Sequence, residues 1–168
     1  MEAEIDCKLQ SNSRYMLRAF ILGALLALVT SRANARLWET ISQIEARYGH
    51  ALQTLPGDAP GEEDRKYRYK DFYVLVTFLY GRSDVEWYFH TDLKTPFSDG
   101  EIQFFLSMTS GGTPWQKSSD VSDMWSLGGP SVESWKAMAA YYPKLPRSTI
   151  PGLGIYTFAR AKKLIKLQ

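Results

Sequence analysis

The chain has 168 residues, 45% apolar and 14% aromatic, with 20 basic against 18 acidic side chains and a formal charge of +2. So small a charge excludes a bulk-electrostatic binder of polyanions, and five tryptophans in so apolar a chain argue against intrinsic disorder. A single cysteine, Cys7, excludes an intrachain disulfide framework.

The N-terminal part carries the strongest signal. Ala19–Val29 is an unbroken apolar run of eleven residues. A spanning helix needs about 20 apolar residues, whereas signal-peptide cores run to about 7–15. Arg14 and Arg18 precede the run, and Ala33-Asn34-Ala35 supplies the small-x-small pattern of a cleavage site. The spacing predicts a secretory signal over residues 1–35, read at Ala33 and Ala35 and cut after Ala35. A retained signal anchor or a buried core helix is the alternative, but Arg32 and Asn34 follow too closely for a true span to extend. Glu2, Glu4 and Asp6 are unusual before a signal core, and Met16 offers a second start. The cut leaves 133 residues with sixteen basic and fifteen acidic side chains and no cysteine. That length suits a single domain, 36–168, able to bury a sizeable core. Arg36, not cysteine, stands at the junction, which argues against lipid attachment there.

Leu37–Tyr48 reads as a helix, with Trp38, Ile41, Ile44 and Tyr48 on one stripe and Gly49 ending it. Residues 53–64, with two prolines, two glycines and four acids, read as a loop. Arg65–Tyr69 alternates as a charged edge strand. Phe72–Tyr80, β-branched and aromatic throughout, reads as a central strand covered on both faces. "GRSD" supplies a turn into a strand over Val85–Phe89. There Val85, Trp87 and Phe89 face one way, and Glu86, Tyr88 and His90 the other. Ser98-Asp99-Gly100-Glu101 is a capping box. It opens a helix to about Met108, with Ile102 and Phe105 expected to be buried and Phe104 and Met108 as further buried candidates. Residues 116–134 are rich in Ser, Gly and Asp around a short strand, "DMWSL". In Trp135–Tyr142 the alanines favour helix, but the aromatics and Pro143 favour strand, which is the reading taken. Leu153–Phe158 is a last strand, and "ARAKKLIKL" a short basic helix. There is no internal repeat. The prediction is an α+β fold: a mostly antiparallel sheet of five or six strands, with two or three helices on one face.

No catalytic, cofactor or metal motif stands out. His50 and His90 lack metal-ligand spacing. No G-x-S-x-G occurs, and "SGG" (110–112) and "LGGPS" (127–131) match no phosphate-binding loop. The acid pairs Asp120/Asp123 and Asp99/Glu101 lie in polar stretches or at a helix start, where acids are favoured structurally. In "RKYRYK" the cations alternate with Tyr67 and Tyr69, but Glu62, Glu63, Asp64 and Asp71 flank them, so a nucleic-acid partner is not expected. The terminal segment carries Arg160, Lys162, Lys163 and Lys166 without an acid. Membrane contact through it is a minor expectation beside docking on the sheet.

The segments "IEARYG", "YKDFYVLVTFLYGRSDVEWYF" and "FSDGEIQFFL", followed by Trp115, resemble small exported bacterial proteins of unknown function. In those chains a short helix ending in R-Y-G precedes an aromatic hairpin, a capped E-I helix and scattered tryptophans. The resemblance covers most of residues 36–168. It implies export and a small α+β fold, and carries over no site residue.

Three functions are open. The first is an exported, non-catalytic binding module for a protein or cell-envelope component, periplasmic or secreted, with Trp115, Trp125 and Trp135 as its candidate surface. The second is an enzyme gathering two or more of His50, His90, Asp120, Asp123 and Glu101 in a pocket. The third is a membrane-surface protein using the terminal helix. The absence of a catalytic motif favours the first.

Overall fold

The computed structural model describes residues 37–129, 134–145 and 149–165. The predicted signal segment, with Ala33 and Ala35, lies outside the described residues. The element order is α1 (Ile41–Tyr48), β1 (Gln53–Pro56), β2 (Glu62–Tyr69), β3 (Phe72–Leu79), β4 (Arg82–His90), α2 (Asp99–Thr109), β5 (Trp115–Lys117), β6 (Met124–Gly128), β7 (Trp135–Tyr142), β8 (Gly152–Thr157) and α3 (Phe158–Ile165). One sheet takes all eight strands in the order β1-β2-β3-β4-β8-β7-β6-β5, and every neighbouring pair is antiparallel.

The α+β class and the antiparallel sheet agree with the sequence; the strand count is eight rather than five or six. The two unforeseen strands are the edges, "QTLP" and "WQK". Neither has a pattern of its own. Each exists through its neighbour, with Gln53 opposite Lys66 and Trp115 opposite Leu127. With β1 outside it, β2 is not the edge strand its charges suggest.

Local chemistry sets the element ends. Trp38 sits at φ 72°, in the left-handed region where a helix cannot propagate. Its N–H donates to the Ser83 carbonyl at 2.8 Å and Thr40 bridges Arg82, so residues 38–40 run beside β4. The helix therefore starts after Thr40, and Trp38 is 51% exposed instead of joining the apolar stripe. The Thr40 hydroxyl accepts from the Gln43 N–H, and Gln43 Oε1 accepts from the Thr40 N–H at 2.9 Å, a capping box. Ser98 and Glu101 repeat the device at α2, with the Ser98 N–H donating to Glu101 Oε2 at 2.8 Å. Between β3 and β4, Tyr80 (φ 50°) and Gly81 (φ 75°) form a two-residue loop with the positive φ pair of a tight hairpin turn. The turn thus begins before "GRSD", and β4 is longer than predicted.

Strand alternation sorts the side chains onto two faces. On one face Tyr67, Val74, Val76, Tyr88, Leu153 and Ile155 meet Ile44 of α1 and Phe105 of α2 in a single core. Each large apolar side chain buried there stabilises the fold by roughly 1.5–3 kcal/mol. On the other face Val85, Met138 and Tyr156 pack with Ala161 of α3. The helices are therefore not all on one face. Thr157 ends β8 and its hydroxyl accepts the Arg160 N–H at 3.2 Å, so α3 starts without a loop and folds onto the opposite side.

The order α-β-β-β-β occurs twice before α3. Outward from the β4–β8 seam, the two halves place their strands in the same succession. Thr40, Gln43, Ile44 and Tyr48 of α1 correspond in spacing to Ser98, Glu101, Ile102 and Leu106 at α2. The repeat absent from the sequence is thus present in the architecture.

Candidate functional site

The three tryptophans expected to form a surface do not share one. Trp125 is 4% exposed in the helix-covered core. Trp115 packs against the same core, and its indole N–H donates to the Leu106 carbonyl at 2.7 Å. Trp135 is on the opposite face, edge-on to Phe158. Burial of their rings serves the core and the ends of α2 and α3.

The expected acid–base residues are also dispersed, with one exception. His50 is 98% exposed, 3.9 Å from Glu45. Asp120 is exposed and bonded to Ser119, and Asp123 lies in the turn before β6 at φ 59°. His90 and Glu101 do meet, with Nε2 and Oε1 3.5 Å apart. The His90 ring lies between Phe72 and Phe97, at centroid distances of 4.5 and 5.0 Å. Burial alone would raise the Glu101 pKa, but hydrogen bonds from Ser98 and the nearby His90 hold it below the usual carboxylate range. Glu101 is committed to its cap, so the pair braces the start of α2.

A buried polar cluster escaped the sequence reading. Glu86 is 0% exposed. Its Oε2 accepts from the Tyr88 hydroxyl at 2.6 Å, the Tyr48 hydroxyl at 3.0 Å and Arg47 Nη1 at 3.4 Å, while Arg47 Nη2 also pairs with Glu39. Glu86 Oε1 is buried without a hydrogen-bond partner. Burial disfavours the Arg47 charge, yet Glu86, the two tyrosines and Glu39 outweigh it and push the pKa upward. Burial and then the Glu86 charge push the Tyr48 and Tyr88 hydroxyls well above their usual range. Arg47 thus holds its charge and the two tyrosines their protons, and the cluster is an interior ion pair with hydrogen-bonded tyrosines. The alternation of β4 placed Glu86 beside Tyr88, which was the available signal. Arg47 and Tyr48 come from 39 and 38 residues away, which strand periodicity cannot reveal.

A cleft of about 280 Å³ lies beside the C-terminal end of α2, lined by Leu37, Trp38, Thr109, Leu127 and Lys136 among others. It is at the small end of ligand pockets. Thr109 Oγ1 and Trp115 already occupy the last α2 carbonyls, including that of Leu106.

The remaining candidate is the sheet face opposite α1 and α2. Strand β3 is not covered on both sides as predicted. Phe72, Val74, Val76 and Phe78 are buried, whereas Tyr73, Leu75 and Leu79 are half-buried. Helix α3 packs on β7 and β8 and leaves two rows of side chains open. The register sets Arg68 opposite Tyr73 and Tyr73 opposite Phe89. The next row runs Lys66, Leu75, Trp87, Gly154. The Trp87 and Phe89 rings stack at 6.0 Å and 15°, and Trp87 reaches Tyr142 at 5.7 Å. A Cβ at Gly152 would come within 2.9 Å of the Phe89 ring, so the glycines of β8 let the rings lie low across the sheet. Lys66 Nζ sits 3.8 Å above the Tyr73 ring. Sequence alternation had placed Trp87 and Phe89 on one side. That this side lacks a helical cover was visible only in the fold. On α3, Ala161 is buried against the sheet while Lys162 and Lys163 are exposed.

No family model matches the chain, and no curated protein matches it. Among solved structures it is similar to a cysteine-rich secretory protein from Staphylococcus aureus subsp. aureus Mu50, with a TM-score of 0.40 and 15% sequence identity. The match covers 72% of this chain and 43% of that one, so the chain spans less than half the length of that protein.

Proposed function

We propose that residues 36–168 form an exported, non-catalytic interaction module of the bacterial cell envelope or secreted fraction, with the open sheet face as its contact surface. The observation that carries this reading is the strip of half-buried Tyr73, Leu75, Trp87, Phe89 and Tyr142 on a face where α3 packs on β7 and β8 and reaches β2 through the Arg160–Glu62 pair. Aromatic residues and arginine are enriched at protein interfaces, and contiguous exposed apolar patches mark interaction sites. Export rests on the apolar run Ala19–Val29 and the alanines before Arg36. The contact surface moves from Trp115, Trp125 and Trp135 to Trp87 and its neighbours.

Two measurements test this. A mass of residues 36–168 in the exported fraction of the host supports export and cleavage; a mass retaining residues 19–35 overturns the cleaved form. A photoreactive residue replacing Leu75 on the open face is expected to give covalent adducts, and one replacing exposed Gln103 of α2 is not. Equal yields from the two positions, or none from position 75, would sink the assignment of the face.

A further inference from the structure

We infer that the open sheet face receives a protein partner that presents carboxylates around an apolar centre. This rests on the reading of that face as the contact surface. The argument is one of charge left over. Arg47, Arg65 and Arg160 are each paired with a glutamate. Lys66 and Arg68, at one end of the aromatic strip, have no carboxylate within ion-pair distance among the described residues. The acids nearest them on β2 are engaged: Asp64 accepts the Thr77 hydroxyl at 2.6 Å, and Glu62 holds Arg160. Arg68 Nε donates to the Lys70 carbonyl at 3.3 Å, and the strip therefore presents an apolar floor and a solvated cationic margin able to meet carboxylates of another molecule.

Shape narrows the class. From β2 across β3, β4 and β8 to β7 the strip extends about 19 Å at about 4.8 Å per strand spacing. That width suits part of a standard protein interface, about 800 Å² per partner. Helix α3 rises from the same face, and a helix is about 10 Å thick, so a flat bilayer resting on α3 would not reach the rings. A two-fold pairing of identical copies sets each patch against itself. It would bring together the cations of both copies, where the acids of β2 on the same face among the described residues, Asp64 and Glu62, already accept from Thr77 and Arg160. An apolar segment flanked by Asp or Glu satisfies both the rings and the margin.

The test uses the whole exported chain in its host, with the photoreactive residue at Leu75. Three backgrounds are compared: the native margin, Lys66→Glu with Arg68→Glu, and Lys66→Arg with Arg68→Lys. The expected result is a crosslinked peptide from another protein with Asp or Glu beside the crosslink. Its yield should fall about tenfold or more on charge reversal, corresponding to two lost charge contacts. It should persist in the charge-preserving exchange and return when the partner's acids are changed to Lys. Unchanged thermal unfolding of the variants separates lost contact from lost fold. Adducts with lipid, glycan or a second copy, or yields indifferent to charge reversal, would overturn the inference while leaving the contact surface standing. No adduct at position 75 above that at position 103 would overturn both.

Discussion

The two α-β-β-β-β halves solve the same packing problem with different chemistry. The first half has Arg47 and Tyr48 at the end of α1, turned toward Glu86 of β4. At the corresponding places the second half has Phe105 and Leu106 in α2, and Ile155 of β8 directly opposite Glu86 across the seam. Both halves bury these positions almost completely. The architecture therefore does not require the buried ion pair, because the second half is filled with hydrocarbon alone. Removing two charges from water costs several kcal/mol per ion before their attraction is counted. The first half carries a cost that its counterpart avoids.

The sharpest way to break this comparison is to make the first half resemble the second. Arg47→Met alone leaves Glu86 buried without its cation and should cost about 3–5 kcal/mol by denaturant unfolding. The combined variant Arg47→Met, Tyr48→Phe, Glu86→Leu, Tyr88→Phe removes every polar member facing Glu86 and should return stability to the native level or above. If the combined variant is as unstable as the single one, the halves are not equivalent. Next, Ile44→Ala and Ile102→Ala delete the matched anchors of α1 and α2, each fully or almost fully buried. Each should cost about 2–5 kcal/mol, and a gap between them above about 2 kcal/mol would argue against a shared role.

Smaller changes sharpen the contrast. Across the seam from the Trp87 and Phe89 rings of the first half, the second half supplies Gly154 and Gly152. At Gly154 a Cβ would lie 2.4 Å from the Tyr156 hydroxyl. Gly154→Ala should cost about 1–3 kcal/mol through forced rearrangement and shift the tryptophan emission; an unaltered spectrum would mean that the rings do not rest on the glycine. The caps differ in one atom type. Thr40→Ala and Ser98→Ala should each cost about 1 kcal/mol, but only the second should depend on pH. The Glu101 carboxyl is held below its ordinary range, chiefly by Ser98 against the effect of burial. Its contribution is therefore present above the ordinary carboxylate pKa and is lost as pH falls through the folded value. Gln43 does not titrate. The stability curves of the native chain and Ser98→Ala should thus lie furthest apart at neutral pH and converge as pH falls, whereas those of the native chain and Thr40→Ala should run parallel. The smallest effect belongs to the open face: Arg68→Glu, at an exposed position, should change stability by no more than about 0.5 kcal/mol.

Where structure is local, it was legible. Ser98 and Glu101 announced α2, Gly49 ended α1, and the β-branched, aromatic run read as Phe72–Tyr80 is a strand over Phe72–Leu79. Alternation in β4 correctly divided Val85, Trp87 and Phe89 from Glu86, Tyr88 and His90. These features depend on periods of two or 3.6 residues and on hydrogen bonds spanning three residues, all written in neighbouring positions. The candidate surface was half legible, since Trp87 and Phe89 could be placed together but not declared uncovered.

What only the tertiary structure decided is every feature set by partners distant in the chain. The edge strands β1 and β5 are strands because β2 and β6 accept them. Trp38 leaves the helix because Ser83, 45 residues on, takes its N–H. Glu86 becomes an interior charge because α1 delivers Arg47 to it, and the aromatic strip stays open because α3 folds over the other end of the same face. The sequence by itself indicated the three helices, six of the eight strands and which of their side chains would share a face. The pairing of those segments decided which faces are buried, because burial is a property of what lies opposite and not of the residue itself.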